Sequence, residues 1–192
     1  MLNEDELATL LASDRDLEGR VAYYLEKIID RMFSVRATIG TANFNLQSRD
    51  RSTGFVCDLV NEGFGTNQLV TILTKSLRKE TSTICIEETE IHLHPELMDK
   101  FINVLIEIAY EENKQFIITT HSEHIVSSIL TNTHTRKIEP EDLKLYYLYK
   151  DKKRINTELQ KINEKGQVEG GLKSFYQTDL RDIRDFFNIK NE

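Results

Sequence analysis

Residues 83–96 read TICIEETEIHLHPE, and the order of residue types along them decides the fold. Residues 82–87 form a short apolar run, hydrophobic on both faces, which predicts a parallel strand buried under helices. It ends in two adjacent carboxylates, Glu87 and Glu88. Pro95 then opens a helix to about Glu112, because proline is tolerated at the first helical position, where its missing N–H has no partner to lose. QFIITT at 115–120 is a second strand of the same kind, followed by a short helix near 123–130. Strand–helix–strand alternation over 82–150 predicts an α/β fold with a mainly parallel sheet flanked by helices. Ligand sites in such sheets lie beyond the carboxyl ends of the strands. There the first strand presents Glu87 and Glu88, and the second presents Thr120, His121 and Ser122. Two acids so placed suit a divalent cation and a general base for water. The histidine falls at the same sheet edge.

Upstream, residues 5–12 and 16–33 read as helices, the second with Leu17, Val21, Tyr24, Leu25, Ile28, Ile29, Met32 and Phe33 at helical spacing. Residues 1–33 thus form an N-terminal helical region. Over 34–60 the pattern becomes short, β-rich and punctuated by Gly40, Asn43 and Gly54, predicting two or three antiparallel strands. Gly63 and Gly65 precede a helix from about 67 to 79. Downstream, 143–150 and 153–162 read as a strand pair at the sheet edge, and 172–187 as a final amphipathic helix. Residues 34–192 together make one lobe, which the pattern leaves short of a complete domain.

The 192 residues carry 25 basic and 32 acidic side chains, a formal charge of −7, which argues against a chain coated throughout for nucleic acid. No apolar run approaches the ~18 residues of a membrane span, and the acidic start MLNEDELATLL lacks the pattern of a secretory signal. Cys57 and Cys85 sit in apolar strand-like runs and make no disulfide framework, so the expected location is cytoplasmic and reducing.

A strand followed by EETEIHLHPE, then a strand followed by THS, preceded by NEGFGTNQ opening a helix, resembles the second half of an ABC-type ATPase head. The overcoming-lysogenization-defect (OLD) ATPases and their SMC-like cousins are the nearest in style, over roughly residues 53–150. The resemblance implies that 84–88 is the Walker B strand, with Glu87 holding Mg²⁺ through its water shell and Glu88 polarising the attacking water. It implies that His92 and His94 belong to the D-loop and that His121 is the switch histidine near the γ-phosphate. Gly63, Gly65, Thr66, Asn67 and Gln68 then form the signature segment, which in head dimers closes over ATP held by the opposite subunit. Thr66 and Asn67 depart from the small residues common there. ATP and Mg²⁺ are the implied cofactors. The implied partner is a P-loop-bearing lobe or a homologous head, usually in a dimer, with nucleic acid entering only through the family's DNA-related and phage-defence roles.

Plainer readings stand beside each motif. The acid pair can be a solvated strand end, His121 a structural histidine, and GFGTNQ a turn before a helix. His92 and His94 with Glu88 and Glu90 can instead form a transition-metal site, or His94 can belong to the N-cap of the helix that Pro95 opens. A phosphate-cradling GxxxxGK[ST] is missing from the sequence. The nearest lookalike, residues 166–174, is one residue out of register and carries Glu169, so it reads as a decoy of structural use. The family's first lobe, with its P-loop, is therefore expected outside these residues. Three functions remain: the C-terminal lobe of an ATPase that hydrolyses ATP once a P-loop is supplied, a non-catalytic dimerisation or regulatory module derived from one, and a His/Glu metal-dependent hydrolase.

Overall fold

The computed structural model describes residues 4–171 except Ile39, Ala42, Ile91, Lys153 and Glu164. The helix expected over 172–187 lies outside the described residues. The chain divides into two compact units, Met1–Ile125 and Val126–Glu192.

The first unit opens with α1 (Glu4–Ser13) and α2 (Arg15–Ile29). Asp14 caps α2, its carboxylate accepting the Leu17 N–H at 3.0 Å. This satisfies one of the donors a helix start leaves orphaned. The helix ends at Asp30, which adopts a left-handed conformation (φ 54°, ψ 38°) and donates its N–H to the Glu26 carbonyl. Residues 31–33 therefore leave the helix expected of them. They begin β1 (Arg31–Ala37), where Phe33 and Val35 point inward and Met32 is 50% exposed. That alternation belongs to a strand, and the left-handed aspartate is what breaks the helical period. β1 pairs antiparallel with β2 (Phe44–Asp50), and β2 with β3 (Val56–Asp58), giving the three-stranded antiparallel region expected over 34–60.

A 3₁₀ turn at Leu59–Asn61 leads to α3 (Phe64–Leu77), which begins one turn earlier than its apolar spacing suggested because Gly63 serves as its N-cap. β4 (Thr83–Glu87), α4 (Pro95–Glu111) and β5 (Gln115–Thr119) follow. β4 and β5 are parallel, with Ile84 opposite Phe116, Ile86 opposite Ile118 and Glu87 opposite Thr119. The core gathers Leu25 and Ile28 of α2, Leu69 and Leu73 of α3, and Phe101 and Ile108 of α4, all essentially inaccessible. Each such side chain contributes roughly 1.5–3 kcal/mol by leaving water. Across α2 and α4, the Tyr24 hydroxyl donates to Glu111 at 2.8 Å, and Lys27 pairs with Glu107. Burial first, then that hydrogen bond and the surrounding acids, push the Tyr24 hydroxyl well above its ordinary pKa.

One expectation for the parallel pair fails. Both faces were to be covered, yet only the face of Ile84 and Ile86 is buried, while Cys85 is exposed and Ile117 is 52% exposed. The alternation apolar-in and mixed-out was hidden because Cys85 and Ile117 are themselves apolar.

The helix α5 (Glu123–His134) runs from the end of the first unit into the second. There β6 (Leu145–Asp151) and β7 (Arg154–Gln160) form an antiparallel hairpin. Among the described residues it forms a sheet of its own and does not hydrogen-bond to the parallel pair, so the expected edge position is not found. Gly166 has φ 70°, and a Cβ there would stand 2.6 Å from the His134 nitrogen and 2.7 Å from the Leu130 carbonyl oxygen. The glycine segment thus packs on the end of α5, a position only glycine fills without strain. No helix among the described residues is long and apolar enough to cross a membrane.

Candidate nucleotide-hydrolysis site

The parallel register fixes the site. Glu87 is the last residue of β4 and its side chain shares the open face with Cys85. Among the described residues nothing hydrogen-bonds or pairs with it, which leaves both carboxylate oxygens free. Glu88 is the first residue past the strand. Its N–H donates to the Thr119 carbonyl at 2.9 Å, and its φ is 49°. A glutamate in the left-handed region costs about 1–2 kcal/mol relative to ordinary backbone. His92, four residues on, has φ 66°. Two strained non-glycine residues thus occur within five positions, in the loop that the sequence singles out for chemistry. Strain of this kind clusters at functional sites.

The second strand brings His121 to the same edge. Its Nε2 lies 3.6 Å from Glu88 Oε1, with the imidazole 89% and the Glu88 side chain 48% exposed. The backbone of His121 is held by another acid: its N–H donates to Glu90 Oε1 at 2.6 Å. Burial pushes the Glu90 carboxyl up. Hydrogen bonds from its own N–H, the His121 N–H and the Thr120 hydroxyl outweigh that and hold it below the usual carboxylate range.

The start of α3 lies against this loop. A Cβ on Gly65 would stand 2.6 Å from the His92 carbonyl oxygen and 3.2 Å from Leu93 Cδ2. Phe64, 77% exposed, stacks on the His92 ring with centroids 5.2 Å apart. Asn67 turns its amide nitrogen back to the Leu59 carbonyl at 2.9 Å, holding the turn before α3. Glu62, just before Gly63, is bound by both Arg31 and Ser48, which anchors the segment to β1 and β2. Thr66 and Gln68 are half-buried in the first turns of α3.

His94 caps α4, its Nδ1 accepting the Glu96 N–H at 3.4 Å and its carbonyl accepting from Leu97 and Met98. With His92 against Phe64 and His94 on the cap, the alternative metal site is not assembled. Among the described residues no three of His, Cys, Asp and Glu converge to hold a metal ion. Of the positions read from sequence, the structure brings Glu87, Glu88 and His121 to one edge and places Gly63, Gly65 and His92 in a second, adjoining group. Glu90 was legible only as a possible ligand, and its bond to a backbone 31 residues away has no local signature. Nothing in the pattern marked Glu62, Arg31 or Ser48.

The fold is similar to that of solved SMC head domains. The structure aligns with a chain from work on ATP-driven dimerization and DNA-stimulated activation of SMC ATPases, with TM-score 0.61, 9% identity, and coverage of 97% of this chain and 99% of that one. It also aligns with the Smc head domain bound to the C-terminal domain of ScpA from Pyrococcus furiosus (TM-score 0.58, 9% identity, 93% and 40% covered). A third likeness is an Smc head bound to the C-winged helix domain of ScpA (TM-score 0.60, 8% identity, 83% and 47% covered). The chain spans less than half the length of these last two. By sequence, residues 3–126 match the AAA ATPase domain model, and the chain belongs to that family. No curated protein matches the sequence.

Proposed function

We propose that this chain supplies the water-activating half of a nucleotide site in an OLD- or ABC-like ATPase, the phosphate-cradling loop coming from a P-loop-bearing lobe or a second head. The observation that carries the reading is the convergence of Glu87, Glu88 and His121 at the carboxyl ends of two paired parallel strands, with Glu88 strained and its carboxylate facing the imidazole. Glu87 and Glu88 form the Walker B pair in this reading. Glu88 accepts the proton of the attacking water and orients it, which needs an ionised carboxylate open to solvent. His121 donates toward the terminal phosphate oxygens as charge builds there. Glu87 fits Mg²⁺, a hard cation bound through one or two carboxylates and several waters; when bound, the ion neutralises phosphate charge. Catalysis would then be positioning and electrostatics, as phosphoryl transfer to water requires. Gly63, Gly65, Thr66, Asn67 and Gln68 form the signature segment, and the contact of Gly65 with His92 joins it to the Glu88 loop. In this reading residues 34–192 belong to one lobe, and the helices α1 and α2 precede it.

A DNA-linked or defence role, in the cytoplasm, follows from the family likeness. It draws support from a neighbour described in work on DNA-stimulated activation of SMC ATPases. The exposed Arg51, which could face a polyanion, is paired with Glu26.

The test is turnover in the complex that supplies the P-loop. Glu88→Gln keeps size and hydrogen bonding but removes the base, so turnover should fall ~10²–10⁴-fold while ATP binding and any head dimer persist. Near-normal turnover by Glu88→Gln would remove Glu88 from the role assigned to it.

A further inference from the structure

We propose that Glu90 is a positioning residue that holds His121 beside Glu88; this rests on the reading of those two residues as the reacting pair. The His121 imidazole is 89% exposed, and among the described residues its one polar contact is Glu88 at 3.6 Å. Packing therefore does not hold the ring, and its place is set by its backbone. That backbone lies between the end of β5 at Thr119 and the start of α5 at Glu123. The His121 N–H donates to Glu90 Oε1 at 2.6 Å, and the next N–H, that of Ser122, to the Thr120 hydroxyl at 2.9 Å.

The bond from Glu90 crosses between the two loops that carry the reacting groups. A second crossing bond, Glu88 N–H to the Thr119 carbonyl, runs beside it. With both bonds made, Glu88 and His121 move as one piece. A hydrogen bond to an ionised carboxylate is stronger than one between neutral groups, so this bond is suited to pinning an exposed side chain. Glu90 is half-buried, so its carboxylate is held in place while the His121 ring stands in solvent.

Amide hydrogen exchange of the chain, followed residue by residue by NMR, tests the clamp without nucleotide. In Glu90→Ala the His121 amide should exchange ~10-fold faster or more, the scale expected from losing a bond to a charged acceptor. Amides inside β5 and α4 should keep their native rates. Glu90→Gln retains an acceptor oxygen, so protection should be largely rescued, with the His121 amide proton shifted upfield as the charge is lost. Unchanged His121 exchange in Glu90→Ala, or no rescue by Glu90→Gln, would overturn the proposal.

In the complex with the P-loop, Glu90→Ala should lower kcat and leave the KM for ATP nearly unchanged. Combined with His121→Ala it should slow turnover no further than His121→Ala alone, since residues acting through one another are not additive. Fully additive losses would equally count against the clamp. A native complex with no turnover at all would sink the ATPase reading, whereas the exchange measurement still decides the role of Glu90.

Discussion

Glu88 departs from the backbone its neighbours adopt, and the departure can be weighed. Its φ of 49° costs about 1–2 kcal/mol for a residue with a Cβ. Glycine removes that cost but gives back about 0.5–1 kcal/mol through the freedom of the unfolded chain. Glu88→Gly is therefore expected to leave the chain as stable as the native one, or up to about 1.5 kcal/mol more so. Glu87→Gly, one residue earlier in regular strand, has no strain to release and should cost at least about 0.5 kcal/mol. Denaturant midpoints of the two variants at unchanged m-value decide it, and a Glu88→Gly variant less stable than Glu87→Gly would show that the loop is unstrained. At this scale much of the candidate site's geometry was legible. As a candidate site, Glu87, Glu88 and His121 could be placed at one sheet edge because each lies at the end of an apolar strand, and a strand end is a fixed place in an α/β sheet. Asn67 shows the other side. The same side chain suits a phosphate or a carbonyl, and only the fold reveals that its nitrogen is spent on Leu59.

Helices and strands differ in how well their ends could be read. α4 matched expectation because Pro95 states where it begins. The end of α2 did not. Ile28, Ile29, Met32 and Phe33 continue a helical period, while Met32 to Val35 also alternate as a strand, and four residues cannot separate the two periods. The stop lies in the conformation of Asp30, for which aspartate is only a weak signal. Two helical glycines make a matched test of how elements meet. Gly19 lies within α2, and a Cβ there meets nothing within 4 Å. Gly19→Ala should stabilise by about 0.5–1 kcal/mol through helix propensity. Gly65 gains the same propensity in α3, but its Cβ would be driven against the His92 backbone, which cannot rotate away. Overpacking of that kind costs about 1–3 kcal/mol, so Gly65→Ala should be destabilising overall. Thermal unfolding of the two variants should move the midpoint in opposite directions. A stabilised Gly65→Ala would mean that α3 and the Glu88 loop are not in contact.

For the molecule as a whole, the informative feature is how the sequence would meet a nucleotide by itself. Grip on a triphosphate comes mainly from free backbone N–H groups at a glycine-rich loop, the helix behind them and a lysine. In the one glycine-rich lookalike most of the donors among the described residues are already spent. The Lys165 and Gln167 N–H groups go to the Asn163 side chain, that of Gly166 to the Asn163 carbonyl, that of Glu169 to Lys161, and that of Gly171 to Val168. Gly166 is buried against the end of α5, and Glu169 adds a negative charge where an anion would sit. At the other candidate place, Glu87 and Glu88 repel a polyanion unless a cation intervenes, and the net charge of −7 works in the same direction. Mg²⁺ on Glu87 would keep most of its waters and replace only part of a cradle. The 192-residue chain alone should therefore bind Mg·ATP no tighter than about millimolar, a scale of ~4 kcal/mol, with turnover at background. Titration calorimetry on the isolated chain checks this directly. Saturable micromolar binding would mean that the described residues hold a phosphate cradle built from donors other than the glycine segment, and the division of labour proposed for the two lobes would have to be redrawn.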